Sequence, residues 1–235
     1  RLRLHLTNIN LLNEAFRYIN SFLKTFLNKH IISHFHIDVY EREIDRYGKN
    51  TITMAESLFH IDSKAVIQII ESLNSNNELH KKLILGLKSI DNILNDFNFT
   101  LNEKLNFTEN YLNLKQDPIN KSKNINYILD QQFRAYKNDL HNILSTKIYF
   151  SNDWLMYFSV LSYRSFEIKN LYFENKVKFS KNKLIESIYS FVHMNINRLF
   201  SFNSNSYEDT IYYLLNKYYI SLSIQLNKET NNKLK

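Results

Sequence analysis

Ser33-His34-Phe35-His36-Ile37-Asp38-Val39-Tyr40 alternates with a period of two, setting Phe35, Ile37 and Val39 on one face and His34, His36, Asp38 and Tyr40 on the other. That period predicts a half-buried strand, and it decides between an all-helical chain and one that contains a sheet. Arg1-Leu2-Arg3-Leu4-His5-Leu6 repeats the pattern, with three leucines opposite Arg1, Arg3 and His5. Between the two stretches, Leu12, Ala15, Phe16, Ile19, Leu23 and Phe26 recur at helical spacing and predict a helix from about Leu11 to Asn28. Strand, helix and strand with short connections predict a βαβ-type unit whose apolar face packs on the helix while its polar face lines a site. The expected fold class is therefore α+β and helix-dominated, with a small N-terminal sheet packed against a C-terminal helical bundle.

Farther along, apolar periodicity predicts helices through Met54, Ala55, Leu58 and Phe59, with Ser63 as the N-cap of the next, and then over about Glu78–Phe97, Leu101–Leu114, Asn124–Ser145, Trp154–Asn170, Lys181–Phe200 and Tyr207–Leu226. Thr100 with Glu103 makes a capping-box pattern, and Ser206 with Asp209 resembles one. Asn74–Asn77 break the periodicity, and the Pro118-containing stretch Gln116–Lys123 reads as a loop. One domain over 1–235 is expected, with a sheet-containing lobe at 1–62, a helical lobe at 63–226 and a tail at 227–235. Because the first residue already lies within the period-two pattern and is not Met, the chain is expected to be N-terminally truncated.

Composition narrows the function classes. The chain has 235 residues, 44% of them hydrophobic, with 2 Gly, 1 Pro and no Cys. So few turn-formers favour long helices. The lack of Cys excludes disulfides, thiol nucleophiles and thiolate metal sites, and agrees with a cytoplasmic location. No apolar run reaches the roughly 18 residues of a membrane span. A formal net charge of +7 favours acidic partners, but the lysines are scattered rather than massed.

Three places could carry chemistry. Arg1 and Arg3 share a strand face, where two planar guanidinium forks can converge on a carboxylate or phosphate; the plainer reading is a solvated edge strand. Tyr40-Glu41-Arg42-Glu43-Ile44-Asp45-Arg46-Tyr47-Gly48 crowds three acids and two arginines just beyond a strand, where side chains are held firmly; most such crowding is a surface ion-pair network. Glu186, Ser190, His193 and Asn197 form a polar stripe on an otherwise apolar helix, with His193 either functional or simply held by Ser190 and Asn197. His34 and His36, with His5, raise the idea of zinc, but no acid-containing ligand motif accompanies them and no metal is expected.

Taken together, these segments resemble the glutamate-elimination domain of lantibiotic dehydratases, also found in thiopeptide-type bacteriocin biosynthesis. The resemblance rests on Arg1-Leu2-Arg3, on Tyr40 through Gly48 followed by Ala55-Glu56-Ser57-Leu58-Phe59-His60-Ile61-Asp62-Ser63, and on His193-Met194-Asn195-Ile196-Asn197-Arg198-Leu199, in that order. Lys49 stands where the family usually has a second Gly. The resemblance implies a lyase that eliminates glutamate from glutamylated Ser or Thr of a precursor peptide, giving dehydroalanine or dehydrobutyrine. It implies His193 for proton transfer; Arg1, Arg3 and Arg46 for glutamyl carboxylates or enolate charge, with Arg42 as the substitute for Arg46; and Tyr47, Asn197 and Arg198 at the substrate. No cofactor is implied. The implied partners are the glutamylated precursor peptide, an upstream or separate glutamylation domain that uses glutamyl-tRNA, and a second copy in a homodimer. Direct nucleic-acid binding is not expected, and the cytoplasmic location extends to association with a membrane-bound biosynthesis and export complex.

Two other readings compete. A thiopeptide pyridine synthase has the same fold but need not keep paired arginines, so Arg1 and Arg3 favour elimination. A non-catalytic precursor-binding module would pair a strand with the peptide backbone.

Overall fold

The computed structural model describes residues 8–73, 78–115, 123–145, 152–175, 180–200 and 202–233. The chain divides into two compact units, Arg1–Glu43 and Ile44–Lys235. The expected lobe division at 62/63 falls inside a continuous helix.

In the first unit a short 3-10 turn at Ile9–Leu11 leads into α1, Leu12–Asn28. Asn8 caps the turn by accepting from the Asn10 backbone N–H at 3.0 Å. His30, at φ 54°, ends the helical path. The following segment corrects the expected α+β class. Ser33–Tyr40 is irregular backbone, and among the described residues there is no strand and hence no βαβ unit. Its alternation is real, yet Ile37 and Val39 are 66% and 83% exposed, so no apolar face is buried there. A strand exists only through ladder partners, and side-chain alternation cannot supply them. The Arg1–Leu6 stretch, the other half of the expected sheet, lies outside the described residues.

The described elements of the second unit are all helices: α2 Ile44–Tyr47, α3 Ile52–Ser72, α4 Glu78–Asp96, α5 Leu101–Leu114, α6 Lys123–Leu144, α7 Asn152–Asn175, α8 Lys181–Leu199 and α9 Ser204–Lys233. The periodicity places most of these within a few residues. Two cap expectations need correction. Ser63 starts no helix: its hydroxyl donates back to the Phe59 carbonyl at 2.7 Å within α3, whose apolar stripe continues unbroken through Ala65, Val66 and Ile69. Ser206 likewise lies inside α9, while Asp209 accepts from the Tyr111 hydroxyl instead of capping. The Thr100–Glu103 capping box is present with both reciprocal hydrogen bonds. The breaks expected at Asn74–Asn77 and Gln116–Lys123 lie, but for Lys123 at the start of α6, outside the described residues.

Helix α4 is the hub. It packs against α6, α7, α8 and α9, which explains why Ile84, Leu85, Leu87, Ile90, Ile93 and Leu94 are all buried rather than a single stripe. The two glycines answer two different demands. Gly48, at φ 84°, closes α2 by donating its N–H to the Ile44 carbonyl at 2.7 Å, a left-handed cap that L side chains rarely adopt. Gly86 lets α4 approach α9, since a Cβ there would come within 2.8 Å of Ile211 Cδ1.

Candidate acid–base site

Helices α8 and α9 form an antiparallel hairpin across residues 200–203. That short connection places His193, six residues before the end of α8, opposite Glu208, at the start of α9. Glu208 Oε2 lies 2.8 Å from His193 Nδ1. On the other side of the ring, Asn197 Nδ2 donates to His193 Nε2 at 2.9 Å, one helical turn along α8. A carboxylate only accepts and an amide NH₂ only donates, so this donor set matches the tautomer that carries its proton on Nδ1 and its lone pair on Nε2. The imidazole side chain is 40% exposed, whereas the Glu208 side chain is 4% exposed. A sealed anion therefore holds an open ring.

The wall behind Glu208 is aromatic. Tyr111 and Tyr212 stack with centroids 3.6 Å apart, and Phe107 stacks on Tyr189 at 4.1 Å. Burial, with the nearby Glu208 charge adding to it, pushes the Tyr212 hydroxyl well above its ordinary range. Burial alone pushes Tyr189 up to about 12. Neither phenol ionises near neutral pH.

A second cluster lies toward α3 and α7. The Asp62 carboxylate accepts from Arg164 Nη1 at 3.1 Å and Asn195 Nδ2 at 2.8 Å on one oxygen, and from Arg198 Nη1 at 2.9 Å on the other. Ser89 ties the set together, donating to Asn195 Oδ1 at 3.0 Å while its carbonyl accepts from Arg164 Nη2 at 2.7 Å. Arg198 also lies over the Phe59 ring, 5.3 Å from its centroid.

The structure thus brings together two of the sequence-predicted residues, His193 and Asn197, and directs Arg198 elsewhere. A step of five residues turns Arg198 roughly 140° around α8 from His193. Tyr47 is buried in the core, stacked on Phe191 at 6.1 Å and edge-on to Phe59 at 5.6 Å. Arg46 is exposed and lies 5.7 Å from the Tyr47 ring centroid. Arg42 is exposed in the first unit, and Arg1 and Arg3 lie outside the described residues. Ser190 turns inward and donates to the Glu186 carbonyl at 3.4 Å instead of holding His193. His34 and His36 meet edge-on at 4.8 Å, and among the described residues no group of three His, Cys, Asp or Glu converges as a metal site.

Glu208 was missed by sequence reasoning, although a signal exists. It stands on the stripe shared by Ile211, Tyr212, Leu215 and Tyr219, where a lone acid among buried apolar residues must have a partner. Asp62, between Leu58 and Val66 on α3, carries the same signature.

Fold and site together define a helical domain that presents a carboxylate-held imidazole at the edge of a sealed core. The chain belongs to the family described as lantibiotic biosynthesis dehydratase C-term, which it matches over residues 1–219. It is similar to the subtilin biosynthesis protein SpaB of Bacillus subtilis, 30% identical over 192 residues that are 80% of this chain and 18% of that protein. It is also similar to the nisin biosynthesis protein NisB of Lactococcus lactis subsp. lactis, 25% identical over 229 residues, 94% of this chain and 21% of that protein. The chain thus spans about a fifth of the length of the curated relatives it matches. No solved structure matches it. Among the described residues no helix is long and apolar enough to cross a membrane.

Proposed function

We propose that this chain is an elimination domain, removing glutamate from glutamylated Ser or Thr side chains of a ribosomally made precursor peptide and leaving dehydroalanine or dehydrobutyrine. Membership of the dehydratase C-terminal family supports the reaction class. The observation that carries the reading is His193, held at Nδ1 by Glu208 and open to solvent over two-fifths of its side chain. In the reaction, His193 Nε2 takes the Cα proton and the C–H electron pair moves into the adjacent carbonyl as an enolate. That pair then forms the Cα=Cβ bond as the Cβ–O bond breaks, and glutamate leaves with that oxygen as its carboxylate. No oxidant, metal or organic cofactor enters the balance.

Arg1, Arg3 and Arg46, with Arg42 in place of Arg46 as the variant assignment, bind the glutamyl carboxylates and the enolate charge, because paired guanidiniums suit a dicarboxylate. Asn197 covers Nε2 until substrate displaces it. The glutamylated peptide comes from a glutamylation domain, fused or separate, that uses glutamyl-tRNA.

The test is mass-monitored loss of glutamate from a glutamylated Ser peptide incubated with the full chain. Wild type converts the peptide, and His193→Ala leaves the adduct intact. Conversion undiminished in that variant removes His193 from the mechanism, and peptide binding indifferent to glutamylation turns the reading toward a precursor-binding module.

A further inference from the structure

Building on the elimination reading, we infer that Glu208 is a positioning residue that fixes the His193 tautomer and aims Nε2 as the proton acceptor. Three observations converge on it. The carboxylate is sealed, at 4% side-chain exposure, and a buried carboxylate persists only when its charge meets a good partner. Its hydrogen-bond partner is an imidazole 2.8 Å away rather than a guanidinium or ammonium, although cationic side chains serve the other buried carboxylates nearby. The ring is held from both ends, by Glu208 at Nδ1 and by Asn197 at Nε2.

The two contacts differ in kind. Glu208 is rooted in the α9 stripe and backed by stacked tyrosines, so its grip persists through a catalytic cycle. Asn197 offers a neutral amide from the half-exposed face of α8, the weaker of the two bonds. Peptide arriving from solvent therefore meets an imidazole whose reactive nitrogen is covered by the replaceable partner and whose opposite nitrogen is tied to the permanent one. A proton taken at Nε2 creates an imidazolium beside a carboxylate, which stabilises the charge formed in the step. A ring of the opposite tautomer would present N–H to the Cα proton and could not accept it.

Histidine-selective ¹⁵N labelling of the full chain tests the tautomer directly, with His193→Gln assigning the resonance. The expected spectrum shows a protonated Nδ1 and an unprotonated Nε2 in wild type, and a mixture of tautomers in Glu208→Gln, because a glutamine amide can either accept from or donate to Nδ1. In the elimination assay, Glu208→Ala and Glu208→Gln should lower kcat on the order of 10- to 100-fold while KM stays within about twofold, a part of what a positioned base contributes. Circular dichroism identifies any variant that fails to fold, and the isosteric Glu208→Gln then carries the test. Wild-type turnover in folded Glu208→Gln, or an Nε2-protonated ring in wild type, overturns the inference. Undiminished conversion by His193→Ala instead overturns the elimination reading, while the ¹⁵N spectrum still decides whether Glu208 holds the ring.

Discussion

Asn195 and Arg198 reach from α8 toward Asp62, while His193, bonded to Asn197 on the same helix, meets Glu208 on the other side. Both clusters centre on a sealed carboxylate, yet they treat their cations oppositely. Around Asp62 the main cation, Arg164, is itself 0% exposed, so the charges neutralise each other inside the core. Around Glu208 the partner is two-fifths exposed. The first arrangement locks α3, α7 and α8 in register. The second spends one buried charge to orient a group that remains available to solvent. A buried carboxylate is therefore no sign of function by itself; the exposure of its partner separates the two roles.

The comparison predicts unequal responses to mutation. Asp62→Ala should be the most damaging, because it leaves Arg164 sealed without its hydrogen-bonded counter-ion. Losing one partner of a buried pair costs about 3–5 kcal/mol, which in a chain of this size lowers Tm by roughly 10 °C. Thermal unfolding followed by circular dichroism measures it. A loss below about 1 kcal/mol would mean that the network neutralises itself without Asp62, and the contrast between the clusters would collapse.

Asp96 sharpens the comparison as a carboxylate that is buried but poorly partnered. Lys169 lies 3.6 Å from one of its oxygens, and the other has no hydrogen-bond partner among the described residues. Burial pushes its pKa up to about 6, only partly offset by nearby Arg164, Ser165 and Lys169. The folded state therefore holds this proton more tightly than the unfolded chain does. Its contribution falls as pH rises from about 4 to about 6 and stays unfavourable above. Asp96→Asn should accordingly stabilise the chain at pH 7 by up to about 3 kcal/mol, with the difference from wild type fading below about pH 4. Equal destabilisation at both pH values would show that burial does not penalise the ionised Asp96 carboxylate.

The helical part of this architecture was legible because it is written in local terms. The apolar spacing of α4 and α8, the Thr100–Glu103 box and the scarcity of turn-formers each act within a few residues of chain. The expected sheet failed for the opposite reason: period-two alternation at Ser33–Tyr40 names a face but not the neighbour that must cover it. Within the site, His193 and Asn197 were readable as an i, i+4 pair on one helix. Glu208 was not, because its partner lies across the α8–α9 hairpin and the register of that hairpin appears only on folding. Arg198 and Tyr47 show the converse. Their residue types suit a binding site, but the fold uses them against Asp62 and Phe191.

The smallest expected effect comes from exchanging carboxylate for amide at Glu208. Glu208→Gln keeps the volume, the apolar contacts with the tyrosine wall and an oxygen able to accept from Nδ1. What it removes is one negative charge whose partner is already partly solvated. Desolvating that charge opposes folding, and its hydrogen bond to the ring favours folding by a similar amount. The net change should lie within about 1 kcal/mol of zero, a Tm shift of roughly 3 °C or less. Measured beside Asp62→Ala in one buffer, it should give several-fold less destabilisation at a position equally buried. If Glu208→Gln instead unfolds the chain as readily as Asp62→Ala, the His193 pair is part of the scaffold, and the division of α8 into a locking side and a reactive side is wrong.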